Sequence, residues 1–347
     1  MRINLAKPLT VLTALAVGAG IAVAGTTAAP AAPAEVCVTN DNLAPSCGVL
    51  WGVAAGGFTE VRRDEAHQDW EKLSGRTATI FHTYHKGDEV FPNKAEIAMA
   101  RDKNNPRVLA LNWKVAHGAS WAKVAKGEKD ARIDRLAAHL KTNFREKFFL
   151  ILHHEPENDV NARKGSGMEA KDFAAMYRHT IQRLEAQGVT NAISVMAYMG
   201  NEKWMAQRWW SDLYPGSDVV DWLGLDSYVN AEKGYHHGTF ADLLDRKAKG
   251  GRGLGWYDWA TTTHPGKPIM IAEWGVYHRE HVPADKTVGY NSVVPELVKR
   301  PGIKAIVYFD TKDDEKGNRD ISIDSTSKNL AAFRKLAADP IFNVKIG

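Results

Sequence analysis

Cysteine is nearly missing from this chain: Cys37 and Cys47 are the only two in 347 residues, so neither a disulfide-dense scaffold nor a multi-cysteine metal cluster can organise it. Long apolar runs are as scarce. After residue 24 no stretch is long and apolar enough to cross a bilayer. An excess of one charge is absent too, because 45 Lys and Arg are interspersed with 41 Asp and Glu for a net +4, which excludes the footprint of a nucleic-acid binder. No H-E-x-x-H spacing occurs, and Asp310–Asp320 fails the EF-hand pattern, so that acidic stretch reads as a solvated loop and no metal or cofactor is expected. What remains is ordinary globular composition, 44% hydrophobic and 25% charged, sufficient for one large domain or two small ones.

The N-terminus has a pattern of its own. Arg2 and Lys7 come before an apolar run from Leu9 to Ala24, and an Ala-, Pro- and Thr-rich tail follows with small-x-small sites at Ala22/Ala24, Ala29/Ala31 and Ala32/Ala34. That is the layout of a secretory signal peptide and a short spacer over residues 1–34. The expectation is a secreted, extracellular protein with no membrane attachment once the signal is cleaved, its single domain covering residues 35–347. In an oxidising compartment Cys37 and Cys47 are expected to close one small loop as a disulfide.

From Gly48 onward, short apolar runs alternate with amphipathic helical patterns about eight times. Strands are expected at Gly48–Val53, Thr77–His82, Val108–Trp113, Phe148–His153, Ala192–Met196, Val220–Asp226, Pro268–Glu273 and Ala305–Phe309. Helices are expected near Thr59–Leu73, Asn93–Asp102, Asp130–Asn143, Glu169–Gln187, Asn201–Asp212, Thr239–Lys247, Asp285–Lys299 and Ser327–Ala338. Eight βα units without a linker-like break predict an α/β fold, a single closed (β/α)₈ TIM barrel, with a doubly wound open sheet as the second choice.

The chemistry concentrates at the strand ends, where parallel α/β folds place it. In Phe148–Asp159 five apolar residues run into His153, His154, Glu155 and Pro156. Proline cannot donate to a ladder and favours an extended residue before it, so the strand should stop there with Glu155 extended at its carboxyl end. The run Pro268–Ala272 repeats the arrangement and delivers Glu273, then Trp274 and Gly275. One such glutamate could simply pair with a lysine or a helix N-terminus. Two at the ends of the fourth and seventh strands would face each other across a barrel mouth, a geometry that suits glycoside hydrolysis with one carboxyl as acid and the other as nucleophile or stabiliser. A separation of about 5–5.5 Å would imply retention of configuration. Trp113, Trp274 and Phe309 are the rings best placed to cover the C–H faces of a sugar. A metal set of His153, His154 and Glu155 is disfavoured, since neighbours on a strand point apart.

These residues resemble glycoside hydrolase family 26, whose (β/α)₈ members include endo-β-mannanases, lichenase-type β-glucanases and β-1,3-xylanases. The resemblance runs from about Gly48 to the C-terminus through LWGVAAGG, HHEPE, DSY, IAEWG and VYFDT. It implies that Glu155 is the general acid/base and Glu273 the nucleophile of a retaining, double-displacement β-glycanase acting on an internal linkage of a polysaccharide such as β-mannan, mixed-linkage β-glucan or β-1,3-xylan. It also implies that His154 contacts the site, that the Tyr228 hydroxyl orients the nucleophile, that His82 lines the sugar site and that Phe309 is its aromatic floor. Pro156–Asp159 departs from the mannanases and is the stretch expected to read the substrate. A monomer is expected. The alternative is a secreted, non-catalytic carbohydrate-binding barrel, which carboxylates held apart, or one tied up by Lys114, would favour.

Overall fold

In the computed structural model, residues 36–247, 253–279 and 284–347 are described; the expected signal peptide and spacer at 1–34 lie outside them. A largely apolar, buried strand needs helices on one face and a packed interior on the other, and eight parallel strands among the described residues meet that need together. They are β1 (Leu50–Ala55), β2 (Ile80–Lys86), β3 (Val108–Lys114), β4 (Phe148–Leu152), β5 (Ala192–Tyr198), β6 (Trp222–Asn230), β7 (Ile269–Arg279) and β8 (Ile303–Asp310). Each pairs in parallel with the next, and β8 pairs with β1, so the sheet closes on itself. The fold is the expected (β/α)₈ barrel.

Helices cover its outside. The principal ones are α1 (Arg63–Ser74), α2 (Lys94–Ala100), α3 (Trp121–Ala125), α4 (Asp130–Asn143), α5 (Ala170–Ala186), α6 (Glu202–Met205), α7 (Phe240–Asp245), α8 (Trp256–Thr263), α9 (Thr287–Lys299) and α10 (Ser327–Ala337). The stripe on α5 is the clearest: Phe173, Met176, Tyr177, Ile181 and Leu184 are all buried. The helix expected at Asn201–Asp212 is instead the one-turn α6 followed by a 3₁₀ turn at Trp210–Leu213. Its tryptophans serve separate contacts, Trp210 against Tyr198 and Trp259 and Trp204 against Trp209. The extra helices α3 and α8 are short and rich in aromatic and Ala/Thr residues, and helical periodicity is hard to see in five or eight positions.

Cys37 and Cys47 form the expected disulfide, and Cys37–Val38 pairs with Val344–Lys345 near the other end of the chain. The acidic stretch after β8 is solvated only in its middle. At its far end Arg319–Asp320 pairs with β7, and the buried Lys286 ammonium donates to the carbonyl oxygens of Asp320 and Ser322 and to Asp320 Oδ1.

Regular pairing breaks in two places that bear on function. The β6–β7 register shifts between Leu225 and Asp226 and the β7–β8 register between Ile271 and Trp274, which sets Asp226 beside Glu273. Such irregularities re-aim side chains where a sheet meets a site. Leu150, fully buried in the middle of β4, tests the dependence of that region on interior packing: Leu150→Ala should lower unfolding stability by about 2–5 kcal/mol in urea denaturation.

Candidate active site

Glu155 is not extended. The strand ends at Leu152, and His153 and Glu155 both take left-handed backbone angles, φ 53° and φ 50°. For a non-glycine residue that conformation costs on the order of 1 kcal/mol or more and persists only where the surroundings impose it. The surroundings do so here. The His153 N–H donates to the Trp113 carbonyl at 3.0 Å and the Glu155 N–H to the Ala197 carbonyl at 3.1 Å, so both neighbouring strands hold the turn. Pro156 opens a 3₁₀ turn, Pro156–Asn158, at the first position, where its missing N–H does no harm. Glu157 points inward, and its Oε1 accepts from the Met199 and Gly200 N–H groups at 3.0 and 3.3 Å. Asp159 Oδ2 lies 3.0 Å from His153 Nε2 and 2.8 Å from Lys114 Nζ. Two of the three polar side chains in Pro156–Asp159 thus brace the turn; the third, Asn158, donates to Glu155 Oε2 at 3.0 Å.

Glu273 reaches the same mouth from β7. Tyr84 donates its hydroxyl to Oε1 at 2.6 Å and Tyr228 donates to Oε2 at 2.6 Å, while His154 Nδ1 lies 3.3 Å from Oε1. Tyr228 and His154 therefore stand where the sequence expected them. Tyr84, on β2, is assigned no role by the sequence. Its signal was the alternation that puts residues 82 and 84 on one face of β2, the His82 and Tyr84 rings stacking at 4.6 Å. His82 is buried beneath that tyrosine rather than lining an open sugar site, and burial pushes its imidazole down to about 4.

The two glutamates are driven in opposite directions. Burial raises the Glu155 carboxyl to about 7, the charge of Glu273 adds to the rise, and His154 opposes it. Burial would raise Glu273 as well, but the contact and charge of His154, the charge of His82 and the Tyr228 hydroxyl overcome it and hold the carboxyl far below its ordinary range. One group keeps its proton near neutrality and the other does not, which is the division of labour that acid and nucleophile require. Asp226, wholly buried beside them, is pushed up by burial and by the charges of Glu273 and Glu155.

The aromatic expectations divide by strand face. On β3, Asn112 pairs with the inward Tyr84, whereas Trp113 pairs with His85 and turns toward the helices. Trp113 is fully buried, with its indole N–H donating to the Gly87 carbonyl at 3.1 Å. Trp274 follows the inward Glu273 and so points outward, buried against Phe240 and Tyr308 at ring separations of 5.3 and 4.9 Å. Neither tryptophan is open to the mouth. Phe309 does face the mouth, edge-on to Tyr84 and Tyr228 at 6.3 Å each, but it is only 7% exposed. The exposed ring above it is Phe58, 5.8 Å away on the loop after β1, which sequence reading passed over because an isolated phenylalanine in a loop carries no periodic signal.

Residues 130–250 match the model of glycosyl hydrolase family 26, a span that includes His154, Glu155, Asp226 and Tyr228 but not Glu273. A β-1,3-xylanase from a Vibrio species is 31% identical over 110 residues, which are 30% of this chain and 22% of that protein's length. Among solved structures, the Bacillus subtilis mannanase BCman superposes with a TM-score of 0.56 at 15% identity, over 82% of this chain and 84% of that one. A modular endo-β-1,4-mannanase from Cellulomonas fimi gives 0.55 at 19%, over 86% and 72%. At these identities the structures bear on the fold.

Removing either hydroxyl from Glu273 should be felt in turnover. Tyr84→Phe and Tyr228→Phe each delete a hydrogen bond to a charged group, and steady-state kinetics should show kcat reduced about 10- to 100-fold. Trp113→Ala should behave differently, losing about 3–5 kcal/mol of stability in denaturation while KM of the surviving folded fraction stays unchanged.

Proposed function

We propose that this chain, whose residues 130–250 match the model of glycosyl hydrolase family 26, is a secreted, monomeric retaining β-glycanase that cleaves internal linkages of a polysaccharide by double displacement. Glu155 protonates the glycosidic oxygen while Glu273 attacks the anomeric carbon, the carbon–oxygen bond breaks, and a covalent glycosyl-enzyme forms. The leaving chain departs, and Glu155, now ionised, takes a proton from water as that water attacks the same carbon and frees Glu273. His154 and the two tyrosines hold the nucleophile throughout. The catalytic domain is residues 35–347, and neither a metal nor an organic cofactor takes part in these steps.

The observation that carries this reading is the opposed state of the two carboxyls, Glu273 kept ionised by Tyr84, Tyr228 and His154 while burial keeps Glu155 protonated. A binding-only barrel has no need of that pairing. Lys114, whose engagement with a catalytic carboxylate would have favoured the binding-only alternative, is taken up by Asp159 instead. Among substrates, β-1,3-xylan is the first polymer to try, since the relative that aligns in sequence is a β-1,3-xylanase; β-mannan and mixed-linkage β-glucan follow.

Reducing-end release from these polymers is the direct assay. Glu273→Ala should abolish nearly all turnover with an unchanged circular dichroism spectrum, and proton NMR of the earliest products should show the β anomer; an α product would sink the double displacement. Because Glu155 acts first as an acid with its carboxyl raised to about 7, kcat/KM should fall as pH rises through that value. The acid limb belongs to Glu273 and should lie far lower, so activity persists through the mildly acidic range. An alkaline limb unmoved in Glu155→Gln would remove the assignment.

A further inference from the structure

Beside the reacting pair, Asp226 carries a carboxyl to which the reaction gives no role. Both carboxylate oxygens of Asp226 are buried without a hydrogen-bond partner among the described residues, and Asp226 is 1% exposed; the Nδ1 of His154, which holds Glu273, lies beside them. Groups of this kind are costly to leave unmatched, and each one calls for an explanation. They also converge. His154 Nδ1 lies 3.3 Å from Glu273 Oε1 and 3.7 Å from Asp226 Oδ2, and one donor atom from each of the three residues falls within 4.8 Å of the other two. A tetrahedral zinc ion at about 2.0–2.2 Å from its ligands has edges of about 3.3–3.6 Å; the two edges from His154 Nδ1 are close to that, and the third closes within 4.8 Å.

The donor set fits the same ion class. One imidazole nitrogen with two carboxylate oxygens suits a borderline cation such as Zn²⁺, whereas Mg²⁺ and Ca²⁺ want more ligands and oxygen throughout. The Tyr84 hydroxyl on Glu273 Oε1, at 2.6 Å, supplies the outer-sphere bond that fixes a ligating carboxylate. Three protein ligands leave the fourth position open. The His154 side chain is 31% exposed, which gives an ion its way in. Among the described residues no other trio of His, Cys, Asp or Glu gathers in this way.

We propose that His154, Asp226 and Glu273 form an inhibitory site for one Zn²⁺-class cation, which captures the nucleophile's Oε1 and holds the enzyme inactive. Binding stands on the geometry alone; inhibition rests on the glycosidase reading above. A protonated His154 bridging the two carboxylates is the competing account of the same distances, and it predicts no saturable metal binding here.

Isothermal titration of the metal-free protein with zinc chloride, in a non-chelating buffer at neutral pH and without glycan, should show one equivalent bound. Asp226→Asn and Glu273→Gln should each weaken that binding on the order of 10-fold or more, and Glu155→Gln should not. Cu²⁺ in the same protein should give an electron paramagnetic resonance spectrum with a single nitrogen ligand. Circular dichroism confirms that each variant folds, and if one does not, the other decides. Absence of saturable binding, or zinc affinity unchanged in a folded Asp226→Asn or Glu273→Gln, overturns the site. Bound zinc that leaves hydrolysis undiminished overturns the inhibitory role. If the metal-free wild type hydrolyses no glycan, the glycosidase reading fails and the titration still judges the site.

Discussion

An ionised carboxylate at the mouth of a packed barrel is the constraint from which the rest of this structure follows. Taking Glu273 out of water disfavours its charge, and the charge survives because two tyrosine hydroxyls and an imidazole are directed at it from β2, β6 and the turn after β4. No one strand could supply those partners. The closed sheet brings them to a common point, and the register shifts beside Asp226 and Glu273 adjust the aim.

That charge then shapes its surroundings. It helps keep the proton on Glu155 and on Asp226, and it favours the charged form of His154. Burial does most to raise the Glu155 carboxyl and the charge of Glu273 adds to it, so the state of each carboxyl depends on the other. The cluster that tunes the pair is also the one proposed to take a metal ion, since any arrangement that concentrates carboxylate and imidazole in a dry pocket approaches a ligand set.

The turn after β4 shows where backbone and chemistry meet. Glu155 presents its carboxyl from a left-handed residue, and the acidic residues that follow it keep it there: Glu157 ties the turn to the end of β5, and Asp159 ties His153 to Lys114. The stretch expected to read the substrate thus braces the turn through Glu157 and Asp159. Phe58, exposed above Phe309, becomes the ring available to a ligand.

The places of His154 and Tyr228 were legible only through the family resemblance, but the chain's own pattern already carried the barrel, the strands that hold the two glutamates, and the disulfide. These are properties of local pattern. An apolar run that ends in charge is visible in a dozen residues, and a βα alternation in a few dozen. Tertiary structure alone decided what depends on the direction of a side chain and on partners far along the chain. Trp113 and Trp274 looked outward because strand alternation sends the neighbour of an inward residue to the helix side. Tyr84 gained its role from a carboxylate 189 positions away. The left-handed Glu155 was invisible because the residue before a proline favours extended backbone, and only the hydrogen bonds from β3 and β5 and the buried Glu157 impose the rarer conformation.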